Sequence, residues 1–304
     1  MALGTTGGRL FAGDAAEYDE NLTVFLSDVH VTGDDGNRRW LFTRRELDAR
    51  IAEILAMRPL PRRVVTFGDL AFGDGDPRDY KVVAPKFKLL RDAGIEVTHA
   101  MGNHDRRKTF LEFFPEQSAT LVEGRIVSEV KMPTCDLILL DSLDEGKVSG
   151  ALGEPQWAWL KETLAKRTRP TFVGAHHYPR DLEDASRGGR LVTLLKNAPC
   201  VAGWINGHGH HWIKTPLVSW GARNEDAIRA LQLPSGGLWG DIGSVTFRTS
   251  QAEAVATLDE KAYWFNDAPH PGERLPETWK AIVDENRGQF CRFPYARAQR
   301  NRRG

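Results

Sequence analysis

Leu22-Thr23-Val24-Phe25-Leu26-Ser27-Asp28-Val29-His30 is a short apolar run, partly β-branched, that ends abruptly on a carboxylate and an imidazole. Such a run reads as a buried strand. The polar pair falls where that strand gives way to a turn. Working outward, the same grammar recurs. Residues 63–67 read as a strand and lead to Gly68-Asp69. Residues 95–101 lead to Gly102-Asn103-His104-Asp105. Residues 137–140 lead to Asp141-Ser142, 171–175 to His176-His177, and 200–205 to Asn206-Gly207-His208-Gly209-His210.

Helical spacing fills the gaps. In 40–57 the residues Leu41, Leu47, Ile51 and Leu55 share roughly one face. A second helix is expected over 80–93, closed by Gly94, and a third over 155–165 with Trp157, Trp159 and Leu160. Beyond these, 227–233, 244–248 and 254–265 read as strands with no helix between them. The chain thus opens as βαβ units and closes as a β-rich half, an α/β class.

Residues 1–20 read as an arm, 21–268 as one domain that carries all these clusters, and 269–304 as an extension. The extension holds a turn-rich linker, a short helix over 277–284 and a basic, irregular, solvated tail from 287. The alternative for the tail is a cover or a subunit contact anchored by Phe290, Phe293 and Tyr295.

Bulk composition narrows the class. The chain has 304 residues, with Lys+Arg and Asp+Glu both at 41, so no net charge draws it to nucleic acid or to an anionic membrane. Cys135, Cys200 and Cys291 are few and far apart, with no CxxC pair, which removes a disulfide framework and zinc-finger readings. No apolar stretch approaches the roughly 20 residues needed to span a bilayer, and the first residues lack a secretory pattern. The expectation is a soluble cytoplasmic protein.

In open α/β sheets ligands gather beyond the carboxyl ends of the strands, where every polar cluster falls. Asp28 and His30, two residues apart, can point at one cation. Asp69 follows a glycine, which frees its carboxylate to bridge two ions. Asn103 offers a neutral carbonyl oxygen, and His208 and His210 flank Gly209, so each can reach a different ion. Two divalent ions roughly 3.5–4 Å apart activate a bridging water, bind phosphoryl oxygens and align phosphorus for in-line attack. His104 is placed to protonate the departing alkoxide, with Asp105 to orient its ring. His176 and His177 point oppositely on an extended segment, and His176, next to the strand, is the favoured ligand. Blander readings suit other residues. His99 reads as a core histidine, His211 faces away from the metals and His270 is exposed. Asp34, Asp35, Asp74 and Asp76 read as solvated turn residues.

Asp28-Val29-His30, Gly68-Asp69, Gly102-Asn103-His104-Asp105, His176-His177-Tyr178-Pro179 and Gly207-His208-Gly209-His210, in that order, resemble the motifs of the calcineurin-like metallophosphoesterases. The resemblance spans about residues 22–248. It implies a four-layer α/β/β/α sandwich of two mixed sheets, with a binuclear centre of Mn, Fe, Co or Zn at its rim. One ion would take Asp28, His30, Asp69 and His210, and the other Asp69, Asn103, His176 and His208.

Departures narrow the subfamily. Phe72 stands where purple acid phosphatases carry a tyrosine ligand. The run Gly68-Asp69-Leu70-Ala71-Phe72-Gly73-Asp74 lacks the Ser/Thr phosphatase pattern, and GNH replaces the GNR of lipid A–pathway pyrophosphatases. Tyr178 replaces the more usual proline. What remains is similar to small bacterial phosphodiesterases of the cyclic-nucleotide and glycerophosphodiester type. The substrate implied is a small phosphoester. A phosphomonoesterase, a DNA nuclease and a non-catalytic metal-binding module stand as alternatives. By the same resemblance the chain could form a homo-oligomer.

Overall fold

Successive side chains of a strand face opposite sides, and here both sides of the central strands are buried. Val24 and Leu26 point to one layer and Phe25 to another, all within 1% of full burial. The computed structural model describes residues 17–34, 42–182, 189–217, 228–264 and 285–295. Along the chain run β1 (Tyr18–Leu26), α1 (Thr43–Ala56), β2 (Leu60–Thr66), α2 (Pro77–Asp92), β3 (Glu96–His99) and α3 (Arg107–Phe113). Then come β4 (Leu121–Val122), β5 (Arg125–Ile126), β6 (Ser128–Lys131), β7 (Asp136–Leu139), α4 (Glu154–Lys166), β8 (Thr171–Ala175), α5 (Arg190–Asn197) and β9 (Val201–Asn206). The last are β10 (Ile213–Leu217), β11 (Ile228–Gln232), β12 (Asp241–Ile242), β13 (Val245–Thr249), β14 (Glu253–Leu258), β15 (Tyr263–Trp264) and β16 (Phe290–Pro294).

Two six-stranded sheets carry the fold, in the orders β16-β14-β13-β1-β2-β3 and β10-β11-β9-β8-β7-β6. Both are mixed. The neighbours β1, β2 and β3 are parallel, as are β7, β8, β9 and β11, while β13, β14, β16, β6 and β10 join antiparallel. Phe25, Val65, Phe67, Leu137, Leu139, Phe172, Ile205 and Phe247 fill the space between the sheets. Val24, Leu26 and Val64 meet Leu47, Ile51, Tyr80, Val83 and Phe87 of α1 and α2 on one outer side. Ile138, Val173 and Trp204 meet Leu160 and Leu164 of α4 and Leu191 and Leu195 of α5 on the other. This is the expected four-layer α/β/β/α sandwich. Strands buried on both faces read as unbroken apolar runs, which is why the sequence showed them.

Helix bounds shift by a residue or a turn. The second expected helix begins earlier, because Asp76 caps α2 by accepting the Arg78 N–H at 2.8 Å and Pro77 opens the first turn. The strand expected over 95–101 stops at His99, and the expected strand over 254–265 breaks into β14 and β15 around Asp259. The tail differs from expectation. Residues 290–294 form the edge strand β16, paired antiparallel to β14, and Phe293 and Tyr295 are buried at 0% and 1% exposure. Phe293 enters the inter-sheet space against Gly203, where a Cβ would lie 2.7 Å from its ring. The helix expected over 277–284, His270, Asp35 and the arm before residue 17 lie outside the described residues. Cys135, Cys200 and Cys291 are buried free thiols. Among the described residues no helix is long and apolar enough to cross a membrane.

Candidate metal centre

The parallel strands β1, β2, β3, β8 and β9 end at one rim, and each delivers its polar cluster there. The loops after β1 and β2 run side by side: Asp28 N–H donates to the Gly68 carbonyl at 3.1 Å and His30 N–H to that of Asp69 at 3.0 Å. The loop after β9 crosses from the other sheet, and its His208 N–H donates to the Asp28 carboxylate at 3.1 Å. Gly68 has φ +91, and a Cβ there would fall 2.6 Å from Gly102 N and 2.8 Å from His176 Nδ1, so only glycine lets these loops meet.

Backbone strain concentrates here. Asp28, His30, Asp69, His208 and His210 have φ of 52, 42, 54, 68 and 58°, and the one other non-glycine residue with positive φ among the described residues is Glu123. L-residues enter that region at a cost of order 1–3 kcal/mol, and such residues cluster at functional sites.

Donor atoms converge. Asp69 Oδ2 lies 3.4 Å from His30 Nε2 and 3.2 Å from His176 Nε2. His176 Nε2 is also 3.1 Å from Asn103 Oδ1 and 3.2 Å from His208 Nδ1. On the other side His210 Nε2 is 3.2 Å from Asp28 Oδ1. Asp28, His30 and His210 bring one donor atom each within 4.8 Å of one another, as do Asp28, Asp69 and His176, and also His30, Asp69 and His104. A cation about 2.0–2.1 Å from each nitrogen or oxygen ligand sets neighbouring donors roughly 3 Å apart, which is the spacing seen. Both His30 ring nitrogens are buried without a hydrogen-bond partner. An orphaned imidazole facing carboxylates is expensive in a protein interior but suits a metal ligand. The donor set therefore fits divalent cations.

The ring orientations are fixed from behind. His176 Nδ1 donates to the Phe67 carbonyl at 2.7 Å and His210 Nδ1 to the Trp239 carbonyl at 2.8 Å, leaving each Nε2 to face the cluster. Asp69 Oδ1 accepts the His104 N–H at 2.9 Å, which leaves Oδ2 to be shared. Burial pushes the Asp28 carboxyl up, but His210 and His176 outweigh it and hold it at about 2. Asp69 is likewise held well below the usual range, against its burial, by His176 and His30. Burial depresses His30 to about 3 and His208 to about 4, so both present neutral lone pairs at neutral pH. Burial also opposes charge on His176, yet Asp69 and Asp28 raise it to about 9. The same negative pair attracts a divalent cation.

All seven expected ligands come together. Of the neighbouring histidines, His176 faces the cluster. His177 lies beside it, with a donor atom within 4.8 Å of those of His176 and His208, but both its ring nitrogens have other partners: Nδ1 is 2.8 Å from the Ser142 hydroxyl and Nε2 3.0 Å from the Val148 carbonyl. His104 is half-buried with its ring 4.7 Å from that of His30. Asp105 is placed differently from the expectation that it orients the His104 ring. Its oxygens accept the N–H groups of Asp69, Leu70, Ala71 and Gly102 at 2.9–3.2 Å and the Tyr80 hydroxyl at 2.7 Å. It tethers the Asp69 loop instead, and burial together with Asp69 lifts its carboxyl to about 6. His99 is the expected core histidine, with Nδ1 2.9 Å from the Thr66 hydroxyl. His211 turns to Asp241 at 3.6 Å, away from the donors.

Sequence reading missed Ser27, which donates to Asp28 Oδ2, and Ser235, whose hydroxyl donates to the Asp28 carbonyl at 2.8 Å. It also missed Trp239. The glycine-dense run Ser235-Gly236-Gly237-Leu238-Trp239-Gly240 was the available signal.

Residues 22–212 match the family model described as Calcineurin-like phosphoesterase. A probable cyclic nucleotide phosphodiesterase from Psychrobacter arcticus is 28% identical over 200 residues, 60% of this chain and 69% of that protein. A cAMP/cGMP dual specificity phosphodiesterase from Mycobacterium tuberculosis is 29% identical over 175 residues, 54% of this chain and 52% of its own length, so the match spans about half of that relative. Among solved structures, a purple acid phosphatase from yellow lupin (Lupinus luteus) seeds superposes with a TM-score of 0.59 at 14% identity, covering 79% of this chain and 51% of that one, a likeness of fold.

Proposed function

Because the chain belongs to the calcineurin-like phosphoesterase family, we propose that it is a binuclear-metal phosphodiesterase acting on small phosphodiesters, cyclic nucleotides among them. The observation that carries this reading is Asp69 Oδ2, a single carboxylate oxygen lying 3.4 Å from His30 Nε2 and 3.2 Å from His176 Nε2. One oxygen facing both halves of the donor set is what a pair of cations requires. Asp28, His30, Asp69 and His210 would hold one ion, and Asp69, Asn103, His176 and His208 the other. When bound, such ions make a strong nucleophile of water at neutral pH and offset charge on phosphoryl oxygens. Mixed oxygen and nitrogen donors suit Mn, Fe, Co or Zn. The relatives named as cyclic nucleotide phosphodiesterases support the substrate class.

The protein's own groups do the rest. The Phe67 and Trp239 carbonyls fix the tautomers of His176 and His210, so no ligand ring must turn during turnover. The half-buried ring of His104 stands beside His30, where a ring N–H can pass its proton to the leaving alkoxide oxygen.

The test is a metal analysis of the purified protein with a substrate panel: bis(p-nitrophenyl) phosphate, 2′,3′- and 3′,5′-cyclic nucleotides, glycerophosphodiesters and p-nitrophenyl phosphate. Expected are bound transition metal, loss of turnover on chelation, recovery on adding Mn or Zn, and diesters preferred over the monoester. A metal-free protein that turns over none of the panel with any added cation sinks the proposal.

A further inference from the structure

The indole of Trp239 is 51% exposed, whereas residues 231–238 and 240 are all buried. It stands alone on a segment tied to the centre from both sides. Its carbonyl accepts His210 Nδ1–H at 2.8 Å, and the Asp241 N–H donates to the His210 carbonyl at 2.8 Å. Upstream, Gly236 N–H donates to the Ser27 carbonyl at 2.6 Å, and the Ser235 hydroxyl, bonded to the Asp28 carbonyl, accepts the Leu238 N–H at 2.8 Å. Gly240 closes the segment at φ +109, where a Cβ would lie 2.2 Å from the His210 carbonyl oxygen. The indole packs on the His210 ring with centroids 4.5 Å apart and planes 46° from parallel. One part of the ring is thus braced by a metal-ligand candidate, and the rest is open to solvent.

A protein or lipid partner would need a continuous apolar surface around the indole, and among the described residues its chain neighbours 231–238 and 240 are buried. One flat exposed ring matches another flat ring. The placement also suits a nucleotide. The indole lies against the His210 ring, whose Nε2 is 3.2 Å from Asp28 Oδ1, so a base resting on the indole would lie next to a phosphate held at the centre. We propose that the open face of Trp239 is a stacking platform for the aromatic base of a nucleotide whose phosphate is held at the metal centre. This makes Trp239 a specificity residue, and it rests on the phosphoesterase reading for the phosphate end of the ligand. Because its backbone is tethered, the platform is preorganised and little ordering cost is left for the base to meet.

The experiment measures calorimetric binding of adenosine 5′-monophosphate and of ribose 5-phosphate to the Mn-loaded wild-type chain, Trp239→Ala and Trp239→Phe. Metal content and circular dichroism confirm that each variant is folded and loaded. Expected is tighter binding of the nucleotide by about 5- to 150-fold in the wild type, as base–aromatic stacking gives. That preference should fall towards unity in Trp239→Ala and be largely kept in Trp239→Phe. No wild-type preference, an unchanged ratio in Trp239→Ala, or an equal loss for both ligands overturns the platform. An equal loss would mean that Trp239 acts only through His210. Should the wild type hydrolyse no phosphoester yet lose its base preference in Trp239→Ala, the enzyme reading fails and the platform stands. Hydrolysis of diesters with an unaffected ratio overturns the platform and leaves the enzyme reading in place.

Discussion

His104 and Asp105 are neighbours with different tasks. His104 presents a half-buried ring beside His30, while Asp105 is fully buried and spends its oxygens on the N–H groups of Asp69, Leu70, Ala71 and Gly102 and on the Tyr80 hydroxyl. His104→Ala should therefore lower kcat by about 10²- to 10⁴-fold, the usual worth of a general acid, with metal content intact. The loss should shrink on esters of p-nitrophenol, whose leaving group needs no proton. Metal lost together with turnover would make the residue a ligand instead. His99 offers a pH test away from the centre. Burial, then Arg91, depresses its ring to about 3 from 6.5. Between those values the unfolded chain binds a proton that the folded chain refuses, so stability is intact above the unfolded value and falls as pH drops towards 3. The slope is at most about 1.4 kcal/mol per pH unit. Urea midpoints from pH 7.5 to 5 should show a shallower decline in His99→Phe than in the wild type; equal slopes would refute it. The ligand types were legible because each follows an apolar run. Their left-handed φ values were not, since no residue pattern at Asp28 or His208 announces them. Nor was the duty of Asp105, most of whose partners are backbone N–H groups in the loop after another strand.

At the scale of elements, strands buried on both faces were legible in advance, such as β8, whose expected and observed bounds coincide, and so were the alternating β13 and β14. Short pieces escaped. The hairpin of β4 and β5 has two residues a side, and α3 and α5 span seven and eight residues, too short for a periodic signal. β16 escaped for another reason. Its burial alternates exposed and buried along Phe290–Pro294, but arginine and proline flank its aromatics and hide the period. Its energetic weight lies in Phe293, which meets the Phe172 ring edge-on at 5.2 Å between the sheets. Phe293→Ala should cost about 3–5 kcal/mol of unfolding free energy, read from urea denaturation. Phe290→Ala, on the 53% exposed side of the same strand, should change little. Equal effects would show that the strand contributes only its backbone pairing.

The whole molecule places its donors across the sandwich. Asp28, His30, Asp69 and Asn103 follow β1, β2 and β3 of one sheet, and His176, His208 and His210 follow β8 and β9 of the other. Each half of the donor set draws on both sheets: His210 faces Asp28, and His176 faces Asp69 and Asn103. Cations bound there would clasp the two sheets together at the rim, in addition to the apolar layer of Phe25, Phe67, Phe172 and Phe247 between them. Binding to the folded chain alone stabilises it by RT ln(1 + [L]/Kd), about 4 kcal/mol at a thousandfold excess over Kd. Chelation should therefore lower the thermal midpoint by several degrees, and restored Mn or Zn should raise it in proportion to the logarithm of free metal. Asp69→Asn removes the charge of the oxygen that faces both halves, so its midpoint should respond far less to chelator. A response in Asp69→Asn as large as in the wild type would mean that the metal binds elsewhere and that the rim is joined by packing alone.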